Sequence, residues 1–135
     1  MRLLYPLEAR AMTIDADPGR LHEAREWAMR VAADAGLEEP DCYQVRLAMS
    51  EIVANAIKHG SKASSDHIRI EAFQRDGALV FEVRDTGTFV ARSARATLED
   101  ESGRGLELVA LIMDEVHMSS TGDGSLLRFA KRIAS

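Results

Sequence analysis

The chain of 135 residues has one cysteine, no long apolar run and no excess of basic charge. A single cysteine, Cys42, cannot form a disulfide within the chain, so an oxidising compartment is not implied. No stretch approaches the roughly 20 apolar residues that a membrane-spanning helix needs. The N-terminal apolar stretch is too short for a signal peptide, and a proline and a glutamate interrupt it. We therefore expect a cytoplasmic protein with no membrane partner.

The net charge is −5, and the basic residues are scattered along the chain. Nucleic-acid binding favours a basic stripe, so no nucleic-acid partner is expected. A nucleotide ligand is compatible with this charge, because one phosphate site needs only local donors. The length, together with an apolar content of 46%, fits one compact domain over residues 1–135.

Several common catalytic and metal-binding patterns are also missing. The four histidines show no metal-ligand spacing, although His59 lies close to Asn55 in the sequence. The chain has neither the G-K-[ST] of a Walker loop nor a G-x-S-x-G motif for acyl transfer. Cys42 is interpreted as a small, packed side chain.

Two segments in the first half of the chain predict helices. After Asp17-Pro18, apolar residues recur at helical spacing, and Gly36 is predicted to cap the C-terminus of that helix. The second helix should run from about Pro40 to His59. It is apolar on nearly all sides, which predicts burial. One narrow polar sector interrupts it, made of Glu51, Asn55, and Lys58 or His59.

The rest of the chain predicts strands with one more helix. Alternating segments at 67–73 and 78–84 predict a hairpin with its turn at Arg75-Asp76-Gly77. A third helix should run from near Gly105 to about Met113, followed by strands at Glu115–Ser119 and Ser125–Ile133. The order (β)-α-α-β-β-α-β-β predicts an α+β fold, a two-layer sandwich with helices on one face of a mixed, mostly antiparallel sheet.

Glu51 and Asn55 stand one helical turn apart on the same side of the second helix. A buried carboxylate is costly unless it is paired or ligated. Mg²⁺ prefers oxygen ligands and usually keeps waters and substrate phosphates. Asn55 could therefore hold Mg²⁺ while Glu51 accepts a proton from a nucleophile. The alternative is a pair of helix side chains joined by one hydrogen bond.

Three further segments carry weaker signals. Asp85 and Gly87 at a strand end predict either a turn or a site where Asp85 accepts a hydrogen bond from the amine of adenine. The turn from Gly103 to Gly105 predicts either a hinge with a helix cap or a phosphate site at a helix N-terminus, to which Arg104 could add a contact. Ser125 could place its hydroxyl near Asp85.

The order of these motifs is more specific than any one of them. The segments Glu51-x-x-x-Asn55, Asp85-x-Gly87, Gly103-Arg104-Gly105-Leu106 and Gly124-Ser125 resemble the successive boxes of the GHKL ATPases over roughly residues 10–132. Within that superfamily, the chain is most similar to the bacterial anti-sigma-factor serine/threonine kinases. The stretch from Ser50 to Gly60 carries that likeness, together with the stretch from Leu111 to Val116.

The resemblance implies roles for particular residues. Glu51 would be the general base, and Asn55 would bind Mg²⁺. Asp85 would recognise adenine beside Gly87, and residues 86–104 would form the ATP lid. The remaining ATP-binding residues would be Lys58, His59, Gly103, Arg104, Gly105, Leu106 and Ser125. Ser125 stands where the family usually has threonine, and Phe89 stands where many relatives have a second glycine.

The resemblance also implies a function with ATP and Mg²⁺ as cofactors. The chain would phosphorylate an anti-anti-sigma protein of the STAS type, sequester a sigma factor and form a homodimer. The alternative is an ATP-gated protein-interaction module without significant kinase activity. A stand-alone ATPase or a detached histidine-kinase catalytic domain is a third possibility, and an α/β domain without nucleotide is the last.

Overall fold

The computed structural model describes residues 8–60, 67–85, 101–121 and 124–133. In chain order, the described helices and strands are β1 (Arg10–Asp15), α1 (Leu21–Asp34), α2 (Glu39–Asn55), β2 (His67–Arg75), β3 (Ala78–Asp85), α3 (Glu101–Ile112), β4 (Glu115–Thr121) and β5 (Gly124–Arg132). A short 3₁₀ turn, Pro18–Arg20, precedes α1, and a π-helical turn, Ala56–Gly60, follows α2.

The strands form one sheet in the order β1-β2-β3-β5-β4. Every strand pairing in the described part of the chain is antiparallel. The prediction of an α+β fold with an antiparallel sheet is confirmed, but the prediction of a mixed sheet is wrong. Strands β3 and β4 do run in the same direction, yet β5 lies between them. The helical connection therefore creates no parallel pair.

The helices cover one face of the sheet. On β3, Leu79, Phe81 and Val83 alternate with side chains on the other face, and all three are at most 3% exposed. Phe81 stacks on Phe129 of β5 with 5.1 Å between ring centroids, and Trp27 of α1 meets Phe81 edge-on at 6.2 Å. Trp27 therefore packs against the core between α1 and the sheet.

Two predicted turns have the expected backbone geometry. At the end of α1, Gly36 has φ = 96° and the Leu37 N–H donates to the Ala32 carbonyl, which is the bonding of a Schellman cap. In the β2–β3 hairpin, Asp76 and Gly77 have φ = 52° and 77°. Positive φ at both positions is the signature of a type I′ turn, whose twist matches the flanking strands.

Helix α2 is buried on one side only. Val45, Met49 and Ile52 are at most 2% exposed, but Tyr43 and Leu47 are 52% and 41% exposed. The prediction that this helix is buried on nearly all sides is therefore wrong for its outer side. In a two-layer fold the sheet and the neighbouring helices cover the inner side, and no described segment covers the outer one.

Helix α3 begins at Glu101, four residues before the predicted start at Gly105. Gly103, Arg104 and Gly105 thus lie in its first turns and do not precede it as a separate turn. A glycine inside a helix costs about 1 kcal/mol relative to alanine. The burial of Leu106, Val109 and Met113 offsets this cost.

Candidate functional site

Lys131 of β5 contacts both α2 and α3. Its Nζ donates a 2.7 Å hydrogen bond to the carbonyl oxygen of Ile112, at the end of α3. The same Nζ lies 3.9 Å from Oδ1 of Asp41, near the start of α2. In the sheet register, Lys131 pairs with Leu79, near the start of β3. The start of α2, the end of α3 and the start of β3 therefore share one end of the molecule.

The opposite ends must meet at the other end of the sheet. From Asp41 to Asn55 the helix extends about 21 Å, and the strand from Lys131 to Ser125 extends about 20 Å. The C-terminal end of α2, the N-terminal end of α3 and the end of β3 at Asp85 consequently gather at the same end. No motif in the sequence pointed to the part played by Lys131.

Asp85 is buried, at 4% exposure. It closes β3 with the alternation of Phe81 and Val83, so its side chain faces the helix layer. In the register it lies opposite Ser125 of β5 and opposite Ile68 of β2. The predicted proximity of the Ser125 hydroxyl to Asp85 is consistent with this pairing, and Ser125 is half-buried.

Glu51 and Asn55 occupy the last two turns of α2, both half-buried. Glu51 is thus accessible from solvent. The π-helical turn begins directly after Asn55 and contains Lys58, which is exposed, and the backbone of His59. Such turns are rare and occur often at functional sites. The sequence predicted an uninterrupted helix to His59, so this turn is a feature that only the structure shows.

Helix α1 holds α2 on the side away from α3. Nε of Arg46 donates a 2.8 Å hydrogen bond to Oε2 of Glu26. This hydrogen bond lowers the pKa of the Glu26 carboxyl below its usual range. The pair links the two helices at the protein surface.

The predicted phosphate-binding segment lies at the start of α3. Gly103, Arg104 and Gly105 are helical, and Leu106 is 4% exposed and packs in the core. Leu106 can therefore contribute through its backbone, while its side chain anchors the helix. Gly87, Phe89 and residues 86–100 of the predicted lid lie outside the described residues, and residues 101–104 form the first turn of α3.

The described residues of the site offer few protein ligands for a metal ion. Within the described ranges, no three His, Cys, Asp or Glu side chains cluster in a way that could hold a metal ion. Mg²⁺ bound to a nucleotide takes most of its ligands from phosphates and water and needs only one or two from the protein. Asn55 beside Glu51 suits that arrangement.

The family model described as the histidine kinase-like ATPase domain matches residues 14–131. The chain belongs to this family. ATP is accordingly the ligand that the family implies. The resemblance of the sequence to GHKL ATPases is confirmed.

Curated relatives show which members of the family this chain is similar to. The anti-sigma F factor of Thermoanaerobacter sp. (strain X514) is 33% identical over 78% of this chain and 82% of its own length. The anti-sigma F factor of Caldanaerobacter subterraneus subsp. tengcongensis is 33% identical over 76% of this chain and 80% of its own length. The predicted likeness to anti-sigma-factor proteins is therefore confirmed.

Solved structures show the same fold. The RsbU and RsbW domains of Rv1364c from Mycobacterium tuberculosis match 96% of this chain with a TM-score of 0.74 and 21% identity, and this chain covers 34% of that one. The histidine kinase domain from the Erythrobacter litoralis EL346 blue-light activated histidine kinase matches 89% of this chain with a TM-score of 0.61 and 15% identity, and 62% of that chain is covered. This chain thus spans about a third of the mycobacterial chain.

No helix in the described ranges is long and apolar enough to cross a membrane.

Proposed function

We propose that the chain is an ATP-dependent anti-sigma factor and a protein serine/threonine kinase of the cytoplasm. It phosphorylates an anti-anti-sigma protein of the STAS type and sequesters a sigma factor. The observation that carries the proposal is Glu51, a half-buried carboxylate one turn before Asn55 on the helix that ends beside Asp85. The names of the anti-sigma F factor relatives support the sigma-factor partner.

The chemistry needs a positioned phosphate, a metal and a base. Asp85 recognises the amine of adenine, and the N-terminal turns of α3, with Gly103, Arg104 and Gly105, hold phosphates. Asn55 binds Mg²⁺, which neutralises charge on the phosphates when bound. Glu51 accepts the proton of the substrate hydroxyl as the hydroxyl oxygen bonds to the γ-phosphorus of ATP. The bond between the γ-phosphorus and the bridging oxygen breaks, and ADP leaves with that oxygen.

Phosphorylation then switches the partner. A phosphate adds a charge of about −2 to the substrate protein, and this charge disfavours an interface that lies against the acidic Glu51. The unphosphorylated STAS protein and the sigma factor thus compete for a chain that we propose acts as a homodimer. Lys58, His59 and Ser125 complete the nucleotide contacts, and residues 86–104 act as the lid.

The first experiment is calorimetric titration with ATP, with and without Mg²⁺. The wild type should show saturable binding that weakens without Mg²⁺, and Asn55→Ala should lose most of that metal dependence. Asp85→Asn should weaken binding in both conditions. Absence of binding at millimolar ATP would contradict a nucleotide site in this chain.

The second experiment separates a kinase from an ATP-gated interaction module. Glu51→Gln keeps the shape of the side chain and removes the base, so phosphotransfer to a STAS protein should fall about 10²–10⁴-fold while ATP affinity is unchanged. A variant that transfers phosphate at the wild-type rate would overturn the role of Glu51. An acid-labile phosphohistidine product would identify a histidine kinase instead.

A further inference from the structure

Two large apolar side chains are exposed on α2 directly before the proposed base. Tyr43 and Leu47 are 52% and 41% exposed. Leu47 lies one helical turn before Glu51, and Tyr43 lies two turns before it. With a rise of about 1.5 Å per residue, Leu47 is about 6 Å and Tyr43 about 12 Å from Glu51 along the helix axis. We call the exposed surface of these two residues the α2 stripe.

The α2 stripe leads along the helix to Glu51. Each step of four residues rotates by about 40° around the helix, so Tyr43, Leu47 and Glu51 form one gently slanting row. The buried Val45 and Ile52 lie on the opposite side, against the core. A protein whose hydroxyl reaches Glu51 from the side of Leu47 therefore rests on this row.

We propose that the α2 stripe is the docking surface for the protein substrate. The inference rests on the proposed kinase function and names the surface that holds the substrate for the same base. Apolar side chains on the partner cover Tyr43 and Leu47, and the serine or threonine beside them reaches Glu51. The contact supplies binding free energy from outside the reacting atoms, and it does so equally in the ground state and in the transition state.

The charges around the stripe define the chemistry of the partner. Glu38 and Glu39 are exposed where α2 begins, and Glu51 stands at the other end of the row. Electrostatic complementarity therefore favours a partner with basic side chains flanking an apolar patch beside its hydroxyl. The occupant is a folded STAS-type protein with such a surface.

The same charges disfavour a second copy of the chain on the stripe. A twofold contact brings the same surface of both copies together. Two antiparallel α2 helices centred between Tyr43 and Leu47 would place Tyr43 opposite Leu47 and Glu39 opposite Glu51. The apolar residues would match, but two carboxylates would meet at each end of the contact. Like charges facing each other across an interface oppose association.

The test compares Tyr43→Ser/Leu47→Ser with Leu111→Ser. Leu111 on α3 is 82% exposed and lies outside the row, so it is a matched apolar control. The probes are the purified STAS-domain proteins of the same organism, assayed for phosphotransfer and for binding in the presence of a non-hydrolysable ATP analogue. Circular dichroism and ATP affinity should show that both variants are folded like the wild type.

The double variant should raise KM and the dissociation constant for the STAS protein about 10–100-fold, from the loss of apolar area. Its kcat should stay within about threefold of the wild type, because Glu51 is intact. Leu111→Ser should change neither constant. Unchanged KM and affinity in the double variant would overturn the docking surface. The proposal would also be overturned if light scattering showed that the only defect of the double variant is conversion from dimer to monomer.

The two proposals fail in different ways. If the wild type binds a STAS protein without phosphorylating it, the kinase function is wrong, and the affinities of the same variants still decide whether the stripe is the docking surface. If the wild type phosphorylates the STAS protein and the double variant does so with the same KM, only the docking surface is wrong. If no STAS protein binds the wild type, both proposals are overturned.

Discussion

Asp85 at the end of β3 lies directly opposite Ser125 at the start of β5, in antiparallel register. Both residues follow the alternation of the helix-facing side, so a carboxylate and a hydroxyl lie side by side under the helix layer. Asp85 is 4% exposed, although a buried carboxylate is costly. A ligand amine that donates a hydrogen bond to this carboxylate would help to offset that cost.

Asp85→Asn should weaken ATP binding about 10–100-fold, because the amide replaces a charged acceptor of the adenine amine with a weaker one. Ser125→Thr keeps the hydroxyl and should bind ATP as the wild type does. Calorimetry on all three proteins measures this. Equal ATP affinity in Asp85→Asn would show that the carboxylate makes no contact with the nucleotide.

Arg128→Met should lower the free energy of unfolding by about 1.5–3 kcal/mol, since it removes the charged partner of a buried carboxylate. Glu82 is 7% exposed on the sheet face away from the helices, and Arg128 donates to its Oε2 from Nε at 2.8 Å and also from Nη2. Urea denaturation measures the loss.

The control for Arg128 is its neighbour Arg84. Nη2 of Arg84 lies 3.9 Å from Oε1 of Glu82, and the Arg84 side chain is 51% exposed. Arg84→Met should therefore cost at most about 1 kcal/mol. Equal losses in the two variants would mean that proximity to Glu82, and not the hydrogen bonds of Arg128, determines the stability.

Lys131→Met should destabilise the chain by about 1–3 kcal/mol, because the carbonyl of Ile112 loses its donor and Asp41 loses a nearby cation. Hydrogen exchange should speed up in the last turn of α3. The control is Arg10→Met, which breaks an exposed ion pair with Asp34 and should cost no more than about 1 kcal/mol. A Lys131 variant as stable as the control would contradict the proposed link between the helices and β5.

Cys42 should react slowly with thiol reagents in the folded protein. Burial raises the pKa of its thiol, and the neighbouring Asp41 and Glu39 raise it further. The thiolate is the reactive form, so labelling at pH 8 should be slow natively and fast in urea. Rapid native labelling would show that the thiol is accessible.

The raised pKa of Cys42 also predicts how the free energy of unfolding changes with pH. The folded pKa of Cys42 is raised, so its contribution is fully present below the unfolded thiol pKa of about 8.5 and is lost as pH rises through the folded value. From pH 7 to pH 10, the urea midpoint should therefore fall less in Cys42→Ala than in the wild type. Parallel falls in the two proteins would contradict this.

Local patterns predicted most of the helices and strands. The alternation from Ala78 to Asp85 and the turn at Asp76-Gly77 depend on neighbours in the sequence, and both appear as predicted. The Schellman cap at Gly36 is equally local. Errors arose where distant contacts compete with local preference. Helix α3 starts at Glu101 despite two glycines, and Tyr43 and Leu47 are exposed on a helix that is apolar all round.

The features of the candidate site also divide into those that short sequence motifs predict and those that only the structure shows. The order of the boxes around Glu51, Asp85 and Gly103 is enough to indicate the family, because each box keeps its residue types at fixed short spacing. The register that sets Asp85 opposite Ser125, the π-helical turn after Asn55 and the bridge from Lys131 to both helices are not visible in such spacings. The register and the bridge depend on residues that lie far apart in the chain.

By itself, then, the sequence determined the elements, their order and the chemical groups available, since these follow from short-range periodicity and side-chain chemistry. Only the tertiary structure decided which ends of α2, α3 and β3 meet, and which side of α2 remains open beside Glu51. The physical reason is that packing against a sheet selects one side of each helix and one direction along the strands. These are long-range choices that local periodicity does not encode.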